Sequence, residues 1–254
     1  MSAHVLPLTV FVLLPSTCIV TYIVSVTLGH VNPCFPYISD MVKLSPESCI
    51  FSQMLNMVSF MLAITMYVRY RMIDQFFVDH ESLRNGYIRS RNWISFRAGC
   101  IACLGLSIVA NFQVSKVGRV HTIGAWIAFT FSQQYMWFQS LLSFQMLDIN
   151  SARTAKYRLL LSCTMTCSYI THLVCARMAH VDFDGLDRTH WSPTDGGYNL
   201  HVISAVAEWI SMLCISFFIL TFVREMQLIS LSCPRVTFFV ESLLVNDASG
   251  DKIC

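Results

Sequence analysis

The chain has 254 residues, 55% of them hydrophobic and only 13% charged, with a mean hydropathy of +0.56. A soluble domain carries roughly 25% charged residues, so a mostly water-facing surface is excluded. The net charge of +2, with no basic patch interleaved with aromatics, gives no footprint for a nucleic-acid partner.

Six apolar runs follow in chain order, each near the 20 or so residues that a helix needs to cross a bilayer core. The first, Leu8 to Leu28, reads as a retained helix. It lacks a basic leading region, its apolar run is too long for a signal peptide, and no small-x-small cleavage site stands out. Pro15 is expected to kink it at a cost that a bundle tolerates. The second run, Cys49 to Val68, is uncharged, and the third, about Trp93 to Gln113, is broken only by Arg97. The fourth spans Val120 to Phe144, the fifth Leu159 to Met178 and the sixth Leu200 to Phe222, leaving 223–254 as a tail. Within that tail Val236 to Val245 ("VTFFVESLLV") is apolar but too short to span, and is expected to lie along the membrane surface. The predicted class is all-α: a polytopic membrane protein with a six-transmembrane-helix bundle and no soluble domain.

Orientation follows from Lys and Arg in the loops. With the N-terminus in the cytosol, the cytosolic segments hold 11 of these residues, Arg69 and Arg158 among them, and the opposite side holds 5. Both termini are therefore expected in the cytosol. The stretch 29–40 ("GHVNPCFPYISD") then becomes the first luminal or exoplasmic loop. Its prolines stop the first helix because they lack an N–H and restrict the preceding residue.

Ionisable groups within a bilayer are functional candidates by default. Glu208 is the strongest, and with His201 and Ser204 it falls on one face of the sixth helix at spacings i, i+3 and i+7. This set is either a proton-linked or headgroup site, or a hydrogen-bonded carboxyl locking helices together. Asp40, Asn111, Gln113, His121, His201 and Glu208 form a candidate polar cluster at the luminal ends. Gln53, Asn56, Gln133, Gln134 and Gln139 are expected to hydrogen-bond between helices. Arg97 is expected to snorkel to the headgroups. Histidines His30, His121, His172, His180, His190 and His201 gather toward the luminal side, which suggests sensing of luminal pH.

No two histidines are four residues apart, no HExxH occurs, and no Ser-His-Asp order, phosphate-binding Gly-rich loop or N-x-[ST] sequon is found. Neither a catalytic residue nor a metal or cofactor site is therefore predicted. Of eleven cysteines most lie inside apolar runs, where a thiol is a small hydrophobe. The "CIAC" of Cys100 and Cys103 reads as packing. Only Cys34 and Cys49 are placed for a disulfide on an oxidising side.

The opening stretch, followed by "SPESCIF", resembles the first luminal loop of the damage-regulated autophagy modulator (DRAM) family, within the wider Frag1/DRAM superfamily. The resemblance continues through "YVRYR" (67–71), "CLGLSIVANFQ" (103–113), His190, Trp191 and Pro193, and Gly197 and Tyr198. It ends in "LHVISAVAEW" (200–209) and "FFILTFVREMQLISL" (217–231), so the blocks cover nearly the whole chain in order. It implies a six-helix protein of the lysosomal membrane, or of other endomembranes or the plasma membrane. Such a protein would promote autophagy, and in some members cell death, without catalysis. The implied partners are membrane lipids and autophagy or lysosomal proteins. Two alternatives stand beside it: a lipid-remodelling enzyme like a distant branch that matures GPI anchors, and a transporter with Glu208 as the proton-coupled group. The chain departs from the family after Asp40, where "MVK" replaces the expected Thr-Gly-Thr. It departs again in the tail, where Glu241 stands only two residues before Leu243, too close for an acidic dileucine signal.

Overall fold

The computed structural model describes residues 3–79, 86–187 and 189–229. Among them the chain is helical, with no strand. Six long helices account for it: α1 Val5–Thr27, α2 Glu47–Asp79, α3 Gly86–Asn111, α4 Val114–Ser143, α5 Ala152–Asp182 and α6 Tyr198–Leu220. A short α7, Val223–Met226, follows. Each of the six overlaps one predicted span: α2 and α5 enclose theirs, and the other four begin before theirs and end one or two residues short of it. The 33 residues of α2 make a rod of about 50 Å, longer than the roughly 30 Å hydrocarbon layer, so its last turns project beyond the bilayer. The segment Val236 to Val245 lies outside the described residues.

Consecutive helices run antiparallel and pack side by side, α1 on α2 through α5 on α6, and α6 closes the ring against α1. Loops 28–46 and 183–197 cover one end of this ring, called here the loop end. The described chain termini lie at the other, the terminal end. Short connections enforce this order: two residues join α3 to α4, and neighbours in sequence have to be neighbours in space.

Five of the helices are long and apolar enough to cross a membrane, whereas the 30-residue α4 does not reach that measure. Its polar residues are spent on its neighbours. Gln133 Nε2 donates to Ser162 O of α5 at 3.2 Å, Gln139 Nε2 to Ser95 Oγ of α3 at 3.0 Å, and Ser140 bonds Ser162 at 3.0 Å. With lipid tails no less apolar than leucine, close backbone approach and such bonds are what hold membrane helices together. The approach is closest where α3 meets α4. A Cβ at Gly105 would stand 2.5 Å from Ala128 N and 2.8 Å from Gly124 O.

Helix α1 continues through Pro15 as one helix, with Thr17 and Thr21 hydroxyls bonding back to Leu13 O and Thr17 O at 2.7 and 2.8 Å. Asn56, Gln133 and Gln139 do bond across helices, but Gln53 and Gln134 are exposed on the outer face. Period alone does not separate a bonded from a lipid-facing glutamine. Arg97 is exposed, and Cys103 is buried while Cys100 is exposed, so the CxxC pair is divided between core and surface.

Candidate functional site

The first loop folds back into the mouth of the ring and is held there by side chains of the helices. Tyr22 OH donates to Pro33 O at 2.8 Å and Trp209 Nε1 to Pro36 O at 3.1 Å. Asn32 Nδ2 donates to Trp191 O at 2.9 Å, tying the first loop to the last. Prolines suit this position, since a buried loop must satisfy every backbone N–H and proline has none. The buried N–H of Ile38 donates to Glu208 Oε2 at 3.0 Å. Beside it Ser204 gives its proton to His201 O at 2.8 Å, so Tyr37 OH donates to Ser204 Oγ. His201 is stacked flat on Trp191, rings 4.3 Å apart at 6°, with Tyr37 edge-on at 4.7 Å. The face of His201, Ser204 and Glu208 is thus a shared one, and all three are buried. The Glu208 carboxyl fastens a loop to a helix, where sequence reasoning expected helix to helix.

Below this plug lies a cavity of about 350 Å³ to which all six long helices contribute. Of the six candidate cluster residues, Asp40, His121 and Glu208 line it. The other three do not. His201 is enclosed by its aromatic partners; Asn111 exchanges paired 3.0 Å amide bonds with Asn56 of α2; Gln113 begins α4 with no side-chain cap bond. Tyr37, His172 and His180 join the cavity wall although the cluster omitted them. Tyr37 was hidden because a loop tyrosine carries no periodic signal, and the two histidines because eight residues separate them along α5. Asp40 pairs with Lys43 at 2.8 Å; burial raises its carboxyl above the ordinary range, while the Lys43 ammonium pulls the other way. Among the described residues no group of metal-ligating side chains converges.

Cys34 and Cys49 stay as separate free thiols, so the expected disulfide is not formed. Tyr198 OH donates to Cys34 Sγ at 3.2 Å, and Cys49 Sγ lies 3.7 Å from Ser45 Oγ on the first turn of α2.

On the loop surface His190 Nδ1 lies 2.8 Å from an Asp187 oxygen and its Nε2 3.2 Å from Gly29 O, clasping the last loop to the end of α1. Bonds from the Thr189 hydroxyl and N–H, then His190, hold Asp187 down at about 2, and the Asp187 hydrogen bond raises His190 above its ordinary value. His30, partly exposed, pairs with the buried Glu47, Nδ1 to Oε1 at 2.6 Å.

The terminal end carries a cluster that sequence reasoning missed. Arg69 of α2 and Arg158 of α5, both 0% exposed, converge on Glu225 of α7. Arg158 Nη1 reaches Glu225 Oε1 at 2.9 Å and Ser143 Oγ at 2.7 Å, its Nε reaches Thr221 at 2.8 Å, and Arg69 Nε donates to Gln139 at 3.1 Å. Both guanidinium groups also lie over the Phe222 ring, at 4.8 and 4.7 Å. The loop-charge bias treats these two arginines as cytosolic surface charge. The structure corrects that: both are fully buried and belong to neither surface. A charge at a span's end reads as headgroup-facing unless the one carboxylate that buries it is known to fold back.

With the geometry in view, the comparisons are specific. The Frag1/DRAM/Sfk1/Cwh43P N-terminal domain matches residues 2–229. DNA damage-regulated autophagy modulator protein 2 of Mus musculus is 38% identical over 220 residues, 85% of this chain and 80% of its own length. DNA damage-regulated autophagy modulator protein 1 of Homo sapiens is 35% identical over 216 residues, 84% of this chain and 86% of its own. The modulator of macroautophagy TMEM150B-B of Xenopus laevis is 28% identical over 194 residues, 75% of this chain and 71% of its own. No solved structure matches the chain. The chain belongs to the Frag1/DRAM/Sfk1/Cwh43P family.

Proposed function

We propose that this family member is a polytopic membrane protein that modulates autophagy from the lysosomal membrane as a non-enzymatic regulator. In this reading all six long helices cross the bilayer, both termini are cytosolic and the loop end faces the lumen. The observation that carries it is the similarity of 35–38% over about 85% of the chain to proteins named as autophagy modulators. The loop-end geometry agrees with a regulator. Several of its polar residues have structural partners: Glu208 on Ile38 N–H, Asp40 on Lys43, and His121 Nδ1 on Phe112 O of the α3–α4 connection at 2.8 Å. A general base poised on a nucleophile would instead show a side-chain pair aimed at a reacting atom.

The test is to follow a tagged full-length copy by microscopy and to measure autophagic flux after depletion. Lysosomal residence with altered flux supports the reading. Golgi or endoplasmic-reticulum residence with unchanged flux overturns it.

A further inference from the structure

We propose that the loop-end cavity is a binding site for a single-chain membrane amphiphile with a primary ammonium head group, a long-chain amine. Its size comes first. About 350 Å³ falls within the 300–1,000 Å³ usual for small-molecule sites. That is room for an alkyl chain.

The lining gives the polarity. Leu14, Phe51, Leu106, Phe129, Met212 and Ile215, from α1, α2, α3, α4 and α6, form an apolar barrel. The polar groups gather where the first loop and α5 close it: Asp40, Lys43, His121, His172, His180 and Glu208. Their hydrogen-bonding roles are biased toward accepting. His172 Nδ1 lies 3.0 Å from Ser204 O and His121 Nδ1 2.8 Å from Phe112 O. A carbonyl only accepts, so each neutral ring carries its proton on Nδ1 and presents Nε2 as an acceptor. Glu208 accepts from Ile38 N–H through one oxygen, which leaves its second oxygen for a ligand. Lys43 is held by Asp40 at 2.8 Å. An acceptor-rich end built around a buried carboxyl selects a head group that brings several donors and can pair with that carboxyl. A primary ammonium brings three donors, a sterol hydroxyl one and a fatty acid none when ionised.

Trp126 of α4 and Leu173 of α5 line the cavity while being 60% and 36% exposed, and Thr122 of α4 and His180 of α5, on the same wall, are exposed as well. The mouth therefore lies between α4 and α5.

The experiment uses the full-length protein in detergent and a photoactivatable sixteen-carbon primary amine, competed by octadecylamine, octadecanol, stearic acid or cholesterol. Saturable labelling on α4 or α5 is expected, with octadecylamine competing about tenfold or more better than the other three. Glu208→Gln keeps an acceptor for Ile38 N–H but loses the charge, and is expected to weaken labelling about tenfold. Ala176→Trp, which places an indole in the cavity, is expected to abolish it. Elution as a single folded species qualifies each variant, and the competition order on the unaltered protein stands alone if a variant fails to fold. Equal competition by stearic acid or cholesterol, or undiminished labelling of folded Glu208→Gln, overturns the proposal.

Discussion

The two ends of the ring bury polar side chains in opposite ways. At the terminal end Arg69 and Arg158 share the one carboxylate of Glu225 around Phe222 in a tightly bonded plug, two positive charges to one negative. At the loop end the carboxyls of Asp40 and Glu208, several histidines and a folded-in loop leave a hollow. Buried charge is tolerable when it is paired and hydrogen-bonded. Neither end meets that condition in full, since Arg69 Nη2 is buried without a partner, but only the loop end leaves open volume beside its polar groups. The lesson is that density of polar residues does not locate a ligand site. Incomplete mutual satisfaction next to open volume does.

The same substitution made at each end is the sharpest way to break this comparison. Glu225→Gln leaves two buried guanidinium groups without a counter-charge, which is expected to cost about 3–5 kcal/mol of stability. Thermal unfolding in detergent, read by loss of the monodisperse peak, checks it; an unchanged midpoint would mean the plug carries no structural weight. Gly105→Val, at the α3–α4 crossing, sets the scale. The added Cβ meets backbone rather than a movable side chain, so about 1–3 kcal/mol is expected from overpacking by the same assay. Glu208→Gln should cost at most about 1 kcal/mol, because the amide oxygen still accepts from Ile38 N–H. A loss as large as that of Glu225→Gln would erase the distinction between the ends.

The smallest effect concerns the surface clasp. His190 is raised above its ordinary 6.5, so its contribution is complete below 6.5 and is lost as pH climbs through the raised value. Asp187, held at about 2, contributes above the ordinary carboxylate value and is lost only as pH falls to about 2. The clasp is therefore fully formed between the ordinary carboxylate and histidine values, the range of an acidic lumen, and loosens toward neutrality and above, with Lys43 nearby opposing the His190 charge. Amide exchange in 189–197 is expected to be slower at pH 5 than at pH 8 after correction for intrinsic rates. His190→Gln should remove that difference. If it persists in the variant, the clasp is not its source. Of the six histidines expected to sense pH, His121 and His201 are buried against Phe112 O and Trp191, whereas His190 meets water.

By itself the sequence determined the membrane class, the six helices and their order, because apolar runs of spanning length have one inexpensive arrangement in lipid. It also determined the shared face of His201, Ser204 and Glu208, which follows from helical period alone. Tertiary structure decided the partners. Glu208 meets Ile38 across 170 residues, and Arg69 meets Glu225 across 156. Nothing local in "YVRYR" or "VREM" distinguishes an arginine that snorkels from one that a returning carboxylate buries. The cavity is likewise invisible in sequence, since it is the space that six helices and one proline-rich loop fail to fill, and volume is a property of their packing rather than of any one of them.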